Sequence, residues 1–362
     1  MRDLHMPSME VTNLLNDWYL SIKFQNINEA NRMKKAIEEK KDELKQDQRN
    51  MIYYMLLDFR HHLLHRQFDQ AASSLTEIEL EKSKMDGLLT YYYLFFRGHY
   101  EYNLGHYESA IEIYQLAEEV LKYVPDNTER AEFHYSVGAA YFQIDFLTLA
   151  LQHAKEALKI FKAQSTQTIR MADCYNLLGA IHTELQNYPA AIEYNQKTKD
   201  FIDRLDYHHE LKSMTRQNLG ILYSKIGESD KAIEYLKLAL QFSQRLNNKL
   251  KLYYLLAKEC FKESQIAAGR KWLSEGMDLA VSNSENVFVH RFRVLEAFYL
   301  KREEIETIVP EAIAYFKKLK LWDYVEGYSL DLAEYYREAG RHKEASEWLL
   351  AVARSRKRFS TK

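Results

Sequence analysis

Residues 97–117 read RGHYEYNLGHYESAIEIYQLA, and three later stretches lie over them: 137–157 VGAAYFQIDFLTLALQHAKEA, 178–198 LGAIHTELQNYPAAIEYNQKT and 219–239 LGILYSKIGESDKAIEYLKLA. A glycine recurs at Gly98, Gly138, Gly179 and Gly220, and an alanine at Ala110, Ala150, Ala191 and Ala232. The period is about 40 residues. A small residue on each of two antiparallel helices lets them approach closely, while large residues, here Tyr114, Tyr223 and Leu236, fill the gaps between neighbouring pairs. The pattern is that of a helical array with one helix pair per repeat. Residues 332–350, LAEYYREAGRHKEASEWLL, restore it through Ala333, Ala345 and Leu349, and residues 256–277, around Ala257 and Gly269, are a weaker copy. The segment 286–320 has the length of a helix pair but little of the motif, and reads either as a degenerate repeat or as an insertion.

Composition agrees with helices. Four prolines and 11 glycines among 362 residues leave little punctuation for strands or hairpins, and 46% hydrophobic content is ample for a core. Fifty Lys and Arg against 52 Asp and Glu give a formal charge of -2, which argues against a chain whose main task is gripping nucleic-acid backbone. Cys174 and Cys260 each sit inside an apolar helical pattern, which fits core residues and a reducing compartment rather than a disulfide framework. The start, MRDLHMPSMEV, has no apolar signal region, and the longest apolar run, Tyr91 to Phe96, is far too short to span a bilayer. The expectation is a soluble cytoplasmic protein, with neither nucleic acid nor membrane as a partner.

Residues 11–70 do not repeat. Val11, Leu14, Leu15, Trp18, Tyr19 and Ile22 form one helical stripe. Ala30, Met33, Ala36 and Ile37 begin a second helix, expected to continue through the charged stretch EEKKDELKQ, and Ile52 to Phe68 form a third. The predicted organisation is a three-helix bundle over 1–68, a linker or helix over 69–86, and a repeat domain over 87–362. A helix-turn-helix DNA reader would need a basic recognition face, and the charges here are mixed.

No enzyme core announces itself: GxGxxG, Walker, HExxH, CxxC and GxSxG patterns are all missing from the sequence. His61 and His65, four apart on one helix face, have metal-ligand spacing but no evident third ligand, so packed or solvated rings are the expectation, as for His208 and His209. The terminal RSRKRFSTK reads as a basic tail complementing the last helix's negative end.

The repeats resemble the tetratricopeptide family, with a period of about 40 rather than the usual ~34 residues. Arrays of this kind present a groove, so a peptide or another protein is the default ligand. The blocks NDWYLSIK, KQDQRNMIYYMLLDFRHHLL, LLTYYYLFFRGHYEY and ERAEFHYSVGAAYF, followed by the repeats, resemble over nearly the whole chain the Rap family of Bacillus-type bacteria. The resemblance implies an all-α fold, an N-terminal three-helix bundle followed by a tetratricopeptide-like right-handed helical solenoid. It also implies a protein that binds a response regulator, in some members stripping the phosphoryl group from the regulator of the sporulation phosphorelay, and that is inhibited by an imported Phr signalling peptide.

By the same resemblance Gln48 is the catalytic residue. An amide cannot act as a general base at neutral pH, but it accepts and donates hydrogen bonds at once and so can hold a water in line with an aspartyl phosphate. No cofactor is expected in this chain; the Mg²⁺ and the phosphoaspartate would be the regulator's. Met51, Phe59, Leu88, Asp126 and Glu129 match the family's regulator-binding surface, while Gln167 stands where phosphatase members can have a tyrosine. For the peptide, Asn218 matches the asparagine that clamps backbone, and Glu184 falls where the family has an aspartate that holds the peptide's arginine. Tyr254, Arg291 and Arg293 complete the implied peptide set; the two arginines lie where related chains can carry acids, which favours a ligand with an acidic residue or a gripped C-terminal carboxylate, or else marks the loss of peptide control. Two other readings stand beside the phosphatase: non-enzymatic sequestration of a regulator's DNA-binding domain, and a plain tetratricopeptide scaffold.

Overall fold

The computed structural model describes residues 9–163, 169–204 and 208–356, and every long element among them is a helix. Gln167 and the tail from 357 onward lie outside the described residues. The chain divides into two compact units, Met1–Leu177 and Leu178–Lys362.

The first unit opens with α1 (Met9–Lys23), α2 (Ile27–Glu38), α3 (Lys41–Leu44), α4 (Gln48–Leu64) and α5 (Phe68–Leu80). Against expectation, the second helix does not run through the charged stretch. It stops at Glu38, Lys40 turns to φ -104° and ψ 22°, and a single turn, α3, follows. The break keeps Glu39, Lys41, Asp42 and Glu43 in solvent while Leu44 is buried. The third helix begins four residues earlier than its apolar run, because Asp47 caps it, and ends at Leu64, after which Arg66 adopts φ 57°. Residues 68–80, in the segment read partly as linker, form α5 against α4. Trp18 and Leu15 are fully buried, the Trp18 indole donating to His61 Nδ1 (3.3 Å).

Helix pairs follow: α6 (Gly87–Asn103) with α7 (Tyr107–Val120), then α8 (Asn127–Gln143) with α9 (Leu147–Ala163). A Cβ on Gly138 would stand 3.1 Å from the Ala154 nitrogen and 3.2 Å from the Ala150 oxygen, so α8 and α9 touch backbone to backbone. Gly98 makes room in the same way for the buried Tyr114 ring, which packs with Phe95 and Phe133. The next helix, α10 (Ile169–Glu184), carries the chain across the unit boundary.

The second unit contains α11 (Tyr188–Ile202), α12 (His209–Ile226), α13 (Ser229–Phe242), α14 (Leu246–Lys262), α15 (Ile266–Ser282), α16 (Asn286–Leu300), α17 (Ile305–Lys318), α18 (Trp322–Glu338) and α19 (His342–Arg356). Gly220 of α12 repeats the close approach, 3.2 Å from the Ala232 oxygen of α13 for an added Cβ. Residues 286–320, left open between repeat and insertion, are a repeat: α16 and α17 pair through Val294, Ala297, Val309, Ala312 and Phe316. No helix among the described residues is long and apolar enough to cross a membrane.

Two glycines inside helices therefore have opposite roles. Gly327 of α18 is exposed, with nothing within 4 Å of an added Cβ, whereas Gly138 faces backbone. Gly327→Ala is expected to stabilise the chain by about 0.5–1 kcal/mol, and Gly138→Val to destabilise it by about 1–3 kcal/mol or more by forcing the helices apart. Urea unfolding midpoints of both variants check this, and equal midpoints would contradict the close-packing account.

Candidate functional site

Three aspartates start three helices of the first unit. Asp47 accepts from the Arg49 and Asn50 backbone N–H groups (2.9 and 3.2 Å), Asp86 from Leu89 N–H (2.8 Å), and Asp126 from Thr128 N–H (2.8 Å). Each satisfies donors that a helix start leaves open. Because Asp47 takes the cap of α4, Gln48, the first residue of that helix, is spared that duty. Its side chain is exposed, and among the described residues nothing hydrogen-bonds its carboxamide.

The helix starts are tied to one another. The Arg49 guanidinium pairs with Asp86 (2.8 Å), joining the start of α4 to that of α6. Burial raises the Asp86 carboxyl, but the hydrogen bonds from Leu89 N–H and Arg49 outweigh it and hold the group below its ordinary value. Tyr123, just before α8, lies over Gly87, where a Cβ would meet its ring. Met51, one turn beyond Gln48, and Leu88, beside Gly87, are half-buried and Asp126 is exposed. Gln48, Met51, Leu88 and Asp126 thus belong to one neighbourhood of helix starts.

Two residues of the implied regulator surface are placed elsewhere. Phe59 is 1% exposed and packs on Tyr100, ring centroids 5.9 Å apart. Eleven residues beyond Gln48, it lies about 16 Å along the helix. Glu129 is also 1% exposed, and its carboxylate is filled by Lys23 Nζ (3.0 Å), Tyr19 OH (2.7 Å) and Tyr91 OH (3.2 Å). Burial raises its pKa, and the Lys23 ammonium works against that. In this conformation Phe59 and Glu129 hold α4, α1, α6 and α8 together rather than offering a contact. The His61 and His65 rings pack tilted at 45° with centroids 4.6 Å apart, His61 accepting from Trp18 and His65 Nε2 lying 2.9 Å from Asn31 Oδ1.

In the second unit the implied peptide residues fall on the first helix of successive pairs. Glu184 ends α10 and is paired with Lys225 (2.6 Å), so a ligand cation would have to displace that lysine. Asn218 is half-buried on α12, beside the buried Gln217, whose Oε1 has no hydrogen-bond partner. Tyr254 of α14 lies against the Arg291 guanidinium of α16, 4.2 Å from ring centroid to Cζ. Arg293, two residues on, faces another way and meets Glu311 of α17 at 3.5 Å. The arginines do not act as a pair. Tyr324 and Tyr328 of α18, which no periodic pattern in the sequence singles out, also lie against the Arg291 guanidinium.

Known proteins can now be set beside this geometry. The family model for the N-terminal region of response regulator aspartate phosphatase H matches residues 5–66, and a tetratricopeptide-repeat model matches 170–245. Response regulator aspartate phosphatase A of Bacillus subtilis (strain 168) is 28% identical, over 98% of this chain and 96% of its own. Regulatory protein RapF of the same organism is 26% identical, over 97% of this chain and 95% of its own. The crystal structure of a Rap protein complexed with competence and sporulation factor superposes with a TM-score of 0.89 at 23% identity, covering 98% of this chain and 99% of that one; at that identity the shared property is the fold.

The buried ion pair gives a sharp expectation. Lys23→Met leaves the Glu129 carboxylate uncompensated and should cost about 3–5 kcal/mol in urea unfolding, with Lys23→Met combined with Glu129→Gln recovering most of the loss; a small effect of the single change would mean the pair is solvated. A second expectation concerns pH. Burial, helped by Lys34, pushes His61 down to about 4, below its ordinary value near 6.5. A group depressed on folding stabilises above its unfolded pKa and loses that contribution as pH falls. Between about pH 6.5 and 4, His61 alone should withdraw up to about 3 kcal/mol, and His61→Gln should flatten the acid limb by roughly one proton.

Proposed function

The chain belongs to the Rap family, and from that premise we propose that it hydrolyses the aspartyl phosphate of a phosphorylated response regulator, with Gln48 holding the attacking water. The observation that carries this reading is the exposed Gln48 carboxamide at the first turn of α4, relieved of capping by Asp47. The amide oxygen accepts a hydrogen bond from the water and the amide N–H donates one to its oxygen, so that the remaining lone pair points along the axis of the P–O bond to be broken. As that bond breaks, the regulator's aspartate leaves as carboxylate and the water's proton passes to the phosphate formed. The divalent cation belongs in this reading to the regulator.

Half-buried Met51 and Leu88 supply apolar anchors beside Gln48, with Asp126 on the polar rim, the usual anatomy of a protein interface. The client is a regulator of the sporulation phosphorelay in this reading, and a short Phr-type peptide on the Asn218 face of the second unit switches the activity off. A peptide does so only by binding the two states of the protein unequally.

Incubation of the chain with a phosphorylated regulator tests the proposal. Loss of label is expected, slowed about 100-fold in Gln48→Ala, the order of effect that misplacing a reacting group produces. Asn218→Ala should raise the peptide concentration needed for inhibition about tenfold, the loss of a clamp worth one or two hydrogen bonds. A stable complex that blocks DNA binding with no loss of label would instead favour sequestration. A plain scaffold predicts both that Gln48→Ala is silent and that removal of residues 1–68 leaves all binding intact.

A further inference from the structure

A side chain that must hold a water in line gains from its helix only if the helix is fixed where that side chain sits, and helix ends are where it is fixed least, because the first turn lacks backbone partners and frays. Gln48 stands at that place, the first residue of α4. The two residues after it fasten the turn in two directions. Asn50, 3% exposed, donates from Nδ2 to Thr12 Oγ1 of α1 at 3.0 Å. Arg49 is held at both ends: its backbone N–H meets Asp47 Oδ1 at 2.9 Å, and its Nε donates to Asp86 Oδ2 at 2.8 Å.

Asp86 divides its two oxygens between two helices. Oδ1 accepts Leu89 N–H at 2.8 Å and so caps α6, while Oδ2 takes Arg49. The start of α6 is braced on a further side by the Tyr123 ring, whose nearest atom lies 2.5 Å from where a Cβ on Gly87 would stand. Capping needs one side-chain oxygen and no charge, and asparagine caps as well as aspartate. The second oxygen of Asp86 and its charge therefore serve the bridge to α4. Both partners are about half exposed, 51% and 47%, a setting in which an ion pair adds little to overall stability. What the pair does fix is a relation: Arg49 follows Gln48 directly, and Leu88 lies two residues beyond Asp86, so one carboxylate sets the carboxamide against the apolar anchor.

We propose that Arg49 and Asp86 are positioning residues for the hydrolysis of the regulator's aspartyl phosphate, their pair holding the first turn of α4 against that of α6 so that Gln48 meets the phosphoryl group in line. This rests on the phosphatase reading given above and deepens it. Both residues act through Gln48 rather than on the reacting atoms. Met51 and Leu88 seat the regulator whether or not the pair is made, so loosening it leaves the complex formed and the water out of line. The turnover number falls and the Michaelis constant holds.

The test uses the full chain and a phosphorylated response regulator, with phosphate release followed over a range of regulator concentrations. Asp86→Asn keeps the α6 cap and removes the charge; Arg49→Met removes the donor. Each is expected to lower kcat about tenfold while KM stays within about twofold. The double variant should be no slower than either single one, because both changes break the same pair. Urea midpoints are expected to match that of the unaltered chain. Unchanged kcat in Asp86→Asn, losses that multiply in the double variant, a raised KM at unchanged kcat, or a loss of activity that follows a fallen midpoint each overturn the positioning role. If those results come with phosphate release that Gln48→Ala abolishes, the phosphatase reading stands without it. No release by the unaltered chain overturns both.

Discussion

Two helices can lie with their backbones in contact only where neither presents a side chain, and that constraint governs the repeats. Gly138 against Ala150 and Ala154 satisfies it with main chain on main chain, since an added Cβ would stand 3.1 and 3.2 Å from backbone atoms, closer than ordinary contact. Once a pair is fixed at that distance, the bulky residues nearby are assigned their places: Tyr114 covers Gly98, and Leu236 covers Gly220. The helix starts, and whatever they display, follow from how the pairs are clamped.

Much of this was legible because the constraint leaves a mark in sequence. Glycine and alanine at a fixed period give the pairs, and an exception shows what limits the signal. Helices α16 and α17 pair through Val294, Val309 and Phe316 beside Ala297 and Ala312, with no glycine at the contact to mark the repeat, so only their length betrayed them. The break after Glu38 was hidden for another reason. It involves no glycine or proline, only a turn at Lys40 that lets the charged residues face water while Leu44 turns inward.

The candidate site was legible to the extent that its residues act locally. Asp47 three residues ahead of its bonded amide, and Gln48 beside it, can be read from adjacent letters. Glu129 cannot, since what buries it is Lys23 and Tyr19, 106 and 110 residues away in the chain. A glutamate at a helix start looks like a surface acid that favours the helix dipole. Here it is the hub of a buried cluster in which Tyr19 and Tyr91 donate and Lys23 neutralises, which moves it from the surface set to the framework that carries the surface.

The same physical test separates framework from site throughout the molecule. A polar group sunk into a protein and fully satisfied by its neighbours has a structural use that explains it, as with Glu129, or with Glu259 between Ser224 and Ser229. A polar group in solvent with no hydrogen bond from the described residues, as with Gln48, has no such internal use and stays available to a partner.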